Sequence, residues 1–301
     1  YYTSLIFESS VYDVIYNMDR KDELRKLISD ARVAYYNLSP KITDQQYDAW
    51  IDELVHISPN DAEIVAIGAT PLQHSVWEKV QHEIPMGSLG KVNSENELDE
   101  WISKIDGVKE WFITHKIDGS SMELVYEVGK LVRCVTRGDG IIGENVTANV
   151  SKIPSIPKIL SIPVNVVIRG EVVMLKSTFA AKYSEEYANP RNTAAGKVRE
   201  KKGGGEACKD LEFLAYWAYF KSQDDAPKTM NASFQWLEDQ KFEVPPIGVS
   251  NNIYIIKKMY TEVVKHRENI HYEIDGMVVS INDLQTLDGM GSLNGRPRGQ
   301  I

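Results

Sequence analysis

Hydrophobic periodicity changes once along the 301 residues, near Pro71, and that change divides the chain into a helical front and a sheet-rich remainder. Before it, Leu24, Leu27, Ile28, Ala31 and Tyr35 recur at the spacing of one helix face, and Ser39-Pro40 ends that helix. A second helix opens with Thr43 and Gln46 as a capping box, carries Tyr47, Trp50, Ile51, Leu54 and Val55 on one side, and stops before Pro59. The pattern predicts a helical hairpin. After Pro71, a helix capped by Ser94 and Glu97 runs through Trp101, and six β-rich runs follow: 111–117, 121–127, 131–136, 166–175, 211–220 and 274–281. Gly129 is expected to turn the second run into the third. Short helices from about Ser177, Ala194, Ala232 and Lys257 fall between the later strands, and Lys201-Lys202-Gly203-Gly204-Gly205 reads as a flexible surface loop. The expectation is an α+β protein with two domains, residues 1–72 helical and residues 73–301 built on mainly antiparallel sheets with flanking helices.

Composition narrows the function classes. No stretch of eighteen apolar residues exists, so no membrane helix is expected, and without a leader-like terminus the chain reads as a soluble, cytoplasmic monomer. Cys134 and Cys208, without CxxC spacing, make neither a disulfide framework nor a structural zinc site. A net charge of -9 argues against tight DNA binding by this chain alone, because Lys and Arg neutralising phosphates supply most nonspecific affinity. The first residue is a Tyr, and the last seven, Gly295 to Ile301, resemble a cut strand entry, so the chain is expected to be an excised piece.

Lys116-Ile117-Asp118-Gly119 ends the first β-run, where a lysine is held rigidly with its amine directed into a cleft. Such an amine attacks phosphorus only when unprotonated, so its site must supply desolvation or neighbouring cations. Alone, the motif reads more readily as a lysine ending an edge strand. It gains meaning from the blocks that follow in order: Thr136-Arg137-Gly138-Asp139-Gly140, Arg169-Gly170-Glu171, Ala188-Asn189-Pro190-Arg191-Asn192-Thr193-Ala194-Ala195-Gly196, and Glu273-Ile274-Asp275-Gly276.

Over nearly the whole chain this set resembles the adenylation domain of NAD-dependent DNA ligases, a nucleotidyltransferase core preceded by a helical subdomain. The resemblance implies that Lys116 attacks the adenylyl phosphorus of NAD, carries AMP as a phosphoramide and releases nicotinamide mononucleotide (NMN), the first step of nick sealing. It places Arg137 and Arg191 near phosphates and ribose, Glu171 on the ribose hydroxyls, Tyr216 under the adenine, and Ser88-Leu89, after His82-Glu83-Ile84-Pro85-Met86, on the other side of the base. Guanidinium forks suit phosphate oxygens, and a flat aromatic face suits a purine. Arg199 and Arg267 match family arginines. Asp118, Glu171 or Asp275 would position the lysine or a Mg²⁺ ion, whose ligands the sequence does not assign.

In the helical front, Asp44, Tyr47 and Asp48 stand at i, i+3 and i+4, with Tyr35 and Tyr36 on the preceding helix. These five resemble the family's NMN pocket, where carboxylates and aromatic faces meet a positively charged nicotinamide ring. A helix-dipole role for Asp44 and burial of Tyr47 account for those two residues equally well when taken alone.

Two positions depart from the family. Ser280 stands where a lysine usually contacts the adenylyl phosphate, and Thr114 stands where a glutamate usually meets the adenine edge. A further family lysine would lie beyond Ile301, as would the modules that grip nicked duplex DNA, so this piece is expected to adenylylate itself at most. The rival readings are an ATP-dependent nucleic-acid ligase or capping nucleotidyltransferase, which shares the lysine motif, and a degenerate NAD- or AMP-binding module of a replication or repair assembly.

Overall fold

The computed structural model describes residues 19–34, 42, 44–66, 69, 77–222, 226–293 and 296–301. Tyr35, Tyr36, Ser39-Pro40 and Thr43 lie outside these residues, as does the side chain of Asp44, so the expectations resting on them do too. The chain separates into two compact units, residues 1–74 and 75–301.

In the first unit, α1 (residues 19–34), α2 (Asp44–Ile57) and α3 (Ala62–Val65) enclose a small core. Leu24 and Ile28 of α1 meet Leu54 of α2, all three fully buried, with Tyr47, Trp50 and Ile51 packed around them. Leu24, Ile28, Tyr47, Trp50, Ile51 and Leu54 of the expected stripes meet here, whereas Val55 is exposed. Polar pairs frame it: the Arg20 fork grips Glu53 at 2.7 and 2.8 Å, and Arg25 grips Asp61, whose carboxylate also accepts the Glu63 amide to cap α3.

The second unit begins with β1 (Lys79–Gln81) and α4 (Glu95–Ser103). Ser94 caps α4 by accepting the Glu97 amide, while the Glu97 carboxylate reaches back to the Asn93 amide, one residue earlier than a standard capping box. There follow β2 (Trp111–Ile117), β3 (Ser120–Glu127), β4 (Lys130–Thr136), β5 (Ile142–Glu144), α5 (Thr147–Val150) and β6 (Val166–Met174). Then come α6 (Lys176–Lys182), α7 (Pro190–Arg199), β7 (Leu211–Phe220), α8 (Met230–Asp239), β8 (Ile247–Ser250), α9 (Ile253–Lys265), β9 (Ile274–Ile281), α10 (Leu284–Gly289), β10 (Ser292–Leu293) and β11 (Arg296–Pro297).

Every strand pairing is antiparallel: a four-stranded sheet β4-β3-β6-β7, a three-stranded sheet β8-β2-β9, and the two-stranded β1-β5 and β10-β11. The α+β expectation with antiparallel sheets is met. The six long strands lie within one residue of the sequence boundaries, because each is an unbroken apolar or alternating run with a turn residue at its end. The helix expected from about Ala194 starts four residues earlier. Asn189 accepts the Asn192 amide as N-cap and Pro190 occupies the first turn, where its missing N–H costs nothing.

Side-chain alternation gives the four-stranded sheet two different faces. Met122, Leu124 and Tyr126 of β3 and Ile168, Val172 and Met174 of β6 enter the larger core with Phe213, Leu237 and Phe242. The opposite face carries Ser121, Glu123, Arg169 and Glu171. The second core, Trp111, Phe112, Ile113, Phe234, Ile256, Val279 and Ile281, binds the three-stranded sheet to α8 and α9. The two sheets are joined by Asp118-Gly119, between β2 and β3.

Candidate active site

Lys116 is the penultimate residue of β2, and the pairing of β2 with β9 slips just there: Lys116 opposes Gly276 while Ile117 opposes Ile274. Asp275 is the extra residue of this β-bulge, and its carboxylate is turned beside the lysine, Nζ to Oδ2 2.5 Å. Bulges re-aim side chains in this way. The Lys116 side chain is 38% exposed and that of Asp275 57%, so the pair lies at the surface of the unit. Arg267 braces the same bulge by donating to the Ile274 carbonyl at 2.5 Å.

Gly119 takes the chain from one sheet to the other. A Cβ there would sit 2.4 Å from the Val172 carbonyl oxygen and 2.8 Å from Glu171 Cγ, so only glycine lets the lysine-bearing turn lie on β6. That contact brings Asp118 and Glu171 to one place. Asp118 forms an ion pair with Arg191 of α7, in the first turn that Asn189 caps. Ser121 opposes Glu171 in register, and its hydroxyl lies 3.1 and 3.0 Å from the two carboxylate oxygens.

Burial pushes the Glu171 carboxyl up to about 7, opposed by Arg191, the Ser121 hydrogen bond and Arg137, and reinforced by Asp118. Arg191, Arg137 and Asp118 thus lie within electrostatic reach of the Glu171 carboxyl. Tyr216 lies near them: burial, first, and the Glu171 carboxylate both raise its phenol. A second bulge puts it there, since Gly170 opposes Ala215 and Arg169 opposes Trp217, leaving Tyr216 as the extra residue of β7.

The opposite wall is the segment after β1. Arg137 donates to the Gly87 carbonyl at 3.0 Å and to Ser88 Oγ at 2.9 Å, while its own amide donates to the Ser121 carbonyl. Ser88 is thus tied to Arg137, whose backbone is tied in turn to Ser121. The structure therefore brings together Lys116, Asp118, Asp275, Glu171, Arg191, Arg137, Ser88 and Tyr216, with Arg267 bracing the rim.

Four further expected residues, and the departure at Ser280, are placed as follows. Arg199 is committed to the buried Glu144 of β5, Nε to Oε2 2.7 Å. Thr114 shares the Lys116 face of β2, but its hydroxyl donates to the Pro246 carbonyl at 3.0 Å. In the first unit, Tyr47 packs on the small core and its hydroxyl accepts from Arg32 Nε at 3.4 Å, whereas Asp48 is exposed. Ser280 lies opposite Phe112 on the Lys116 face of the three-stranded sheet, fully buried, its hydroxyl donating to the Ile281 carbonyl. Sequence reasoning missed Ser121 and the buried Glu123, and gave Arg169 a motif block but no partner, because strand partners must be known before a residue in an apolar run acquires a neighbour.

Among the described residues no helix is long and apolar enough to cross a membrane, and no group of three or more His, Cys, Asp or Glu side chains is gathered to hold a metal.

The sequence model of the NAD-dependent DNA ligase adenylation domain matches residues 74–301, all four motif blocks included. The chain is 36% identical over 293 residues to a protein named DNA ligase from Nitrobacter hamburgensis, covering 89% of this chain and 41% of that one. With the DNA ligase of Sorangium cellulosum it shares 32% over 309 residues, covering 94% of this chain and 44% of the relative. It spans about two fifths of the length of these relatives. Among solved structures, the ATP-dependent DNA ligase of bacteriophage T7 in complex with ATP overlaps at a TM-score of 0.38 and 12% identity, over 66% of this chain and 63% of that one, a likeness too slight to argue from. The match across residues 74–301, which contain every residue of the site built above, is decisive: the chain belongs to the family of NAD-dependent DNA ligase adenylation domains.

Proposed function

We propose that NAD is the AMP donor and that Lys116 Nζ attacks its adenylyl phosphorus, forming lysine-AMP and releasing NMN. The observation that carries this reading is the Lys116 amine at the β9 bulge, beside Asp275, with Asp118, two residues on, paired to Arg191 and Gly119 packed against Glu171. Attack needs the nitrogen lone pair, so the lysine must meet the substrate phosphate deprotonated. The N–P bond forms as the P–O bond to the NMN phosphate breaks, and the amine proton leaves through Asp275, the base within hydrogen-bond reach. Arg191 and Arg137 supply the guanidinium charge that stabilises the phosphoryl oxygens.

Glu171, held by Ser121, meets the ribose hydroxyls, and Tyr216 and the Ser88-Leu89 segment take the two faces of the adenine. Mg²⁺ binds through one or two carboxylates and the substrate's own phosphates; Asp118 and Asp275 would supply them, and the ion would neutralise phosphate charge. The helical unit, through Asp44, Tyr47, Asp48, Tyr35 and Tyr36, takes the nicotinamide half. In the whole protein the adenylyl group passes on to nicked duplex DNA. The chain as it stands adenylylates itself, in a soluble cytoplasmic setting and as a monomer.

A second reading rests on Ser280: with no cation at that buried position, the chain is a nucleotide-binding module with little transfer activity. Intact-mass measurement after incubation with NAD or with ATP, each with Mg²⁺, separates the readings. The proposal expects one adenylyl adduct from NAD alone; an adduct from ATP alone sinks NAD use, and none from either favours the module.

A further inference from the structure

Next to the Ser121–Glu171 pair, one step along the same sheet face, Glu123 of β3 opposes Arg169 of β6. Two charges buried at 1% and 8% exposure in the middle of a sheet are costly unless they are paired and hydrogen-bonded. Arg169 Nη2 lies 3.2 Å from Glu123 Oε2, and its guanidinium sits over the Tyr219 ring, 5.1 Å from the centroid. Its Nε is buried without a hydrogen-bond partner among the described residues, and its other contacts leave the sheet. Nη1 donates to the Pro85 carbonyl at 3.2 Å and Nη2 to the Ile84 carbonyl.

Glu123 Oε1 in turn stands 3.1 Å from Nδ1 of the buried His82, at ion-pair distance though not aligned as a hydrogen bond. His82 Nε2 lies 3.0 Å from the Arg137 carbonyl oxygen. The chain of contacts then closes, because the Arg137 side chain holds Gly87 and Ser88. Residues 83–90 form neither helix nor strand, and the carbonyls of 84, 85 and 87 all end on one of two arginines. A backbone segment without its own ladder takes its shape from such partners.

We propose that Arg169, Glu123 and His82 are positioning residues of the adenylyl site: a buried clamp that fixes residues 84–88 and, through the Arg137 carbonyl, the arginine that holds Ser88. Its consequence is purine specificity, since the clamped segment is the wall facing Tyr216; this rests on the reading above that the adenine lies between them. The fork of Arg169 is the essential part, because one planar group reaches two successive carbonyls and a carboxylate, which an ammonium cannot do. None of the three is proposed to touch substrate.

The test compares the native chain with Arg169→Lys and Glu123→Gln, each checked for fold by circular dichroism and melting. Hydrogen exchange without nucleotide is expected to show faster exchange at residues 84–90 in both variants, with the β3-β6 ladder still protected. In self-adenylylation, KM for NAD is expected to rise about tenfold with kcat changed far less, the loss a charged hydrogen bond implies. Preference for NAD over its hypoxanthine analogue should shrink. Unchanged exchange at 84–90, or a lower melting temperature with KM and base preference intact, overturns the proposal. If the native chain makes no adduct while the variants loosen 84–90, the clamp stands and the adenylylation reading falls.

Discussion

At the scale of single residues, the site is an arrangement of charges brought close by burial, and Glu171 is its most sensitive member. Its carboxyl is held up to about 7 against an ordinary 4.5, first by burial. Being protonated more readily folded than unfolded, it contributes stability that is complete below pH 4.5 and lost as pH rises through 7. The full difference is about 3 kcal/mol. Glu171→Gln keeps the Ser121 contact without the charge, so denaturant midpoints at pH 5 and pH 8 should differ less in the variant than in the native chain. An equal pH dependence in both would show that Glu171 is solvated. The lysine motif, the arginine blocks and Glu171 were legible in the sequence because each carries a fixed local spacing. Ser121, Glu123 and the commitment of Arg199 to Glu144 were not, because each depends on which strand lies alongside.

Among elements, the two bulges explain most of the site: one turns Asp275 toward Lys116 and the other turns Tyr216 onto the site face. Neither is visible in an apolar strand pattern, since a bulge is a property of the pair and not of either strand. The β3-β4 hairpin was legible through Gly129, but its turn holds a further residue under strain. Val128 adopts φ 49 and Gly129 φ 74, the two positive angles of a type I′ turn, and a β-branched residue is poorly suited to the first. Val128 is 62% exposed, so no packing offsets this. Val128→Asn should stabilise the chain by about 1 kcal/mol in urea unfolding, with adduct formation unchanged. A loss of stability would mean that the Val128 side chain makes a contact worth more than the turn strain.

For the whole molecule, the second unit has two cores of its own and contains every residue of the Lys116 site, whereas the first has a single small core around Leu24, Ile28 and Leu54. Residues 75–301 alone should therefore fold and bind AMP. On the proposed division of labour they should lose transfer from NAD by a hundredfold or more, since the nicotinamide half would lack its partner. Calorimetry with AMP and adduct formation from NAD check the two halves of that expectation; transfer as fast as in the full chain would remove the helical unit from the reaction. The switch of periodicity near Pro71 made this division readable from the start, while the NMN-side tyrosines rest on resemblance alone.

The central claim is that the Lys116 amine takes the adenylyl group. Incubation of the native chain and Lys116→Ala with NAD and Mg²⁺, followed by intact mass and peptide mapping, tests it most directly. The account predicts one adenylyl group on the native chain, mapped to Lys116, and none on the variant. An adduct on Lys116→Ala, or one mapped to another residue, would contradict it.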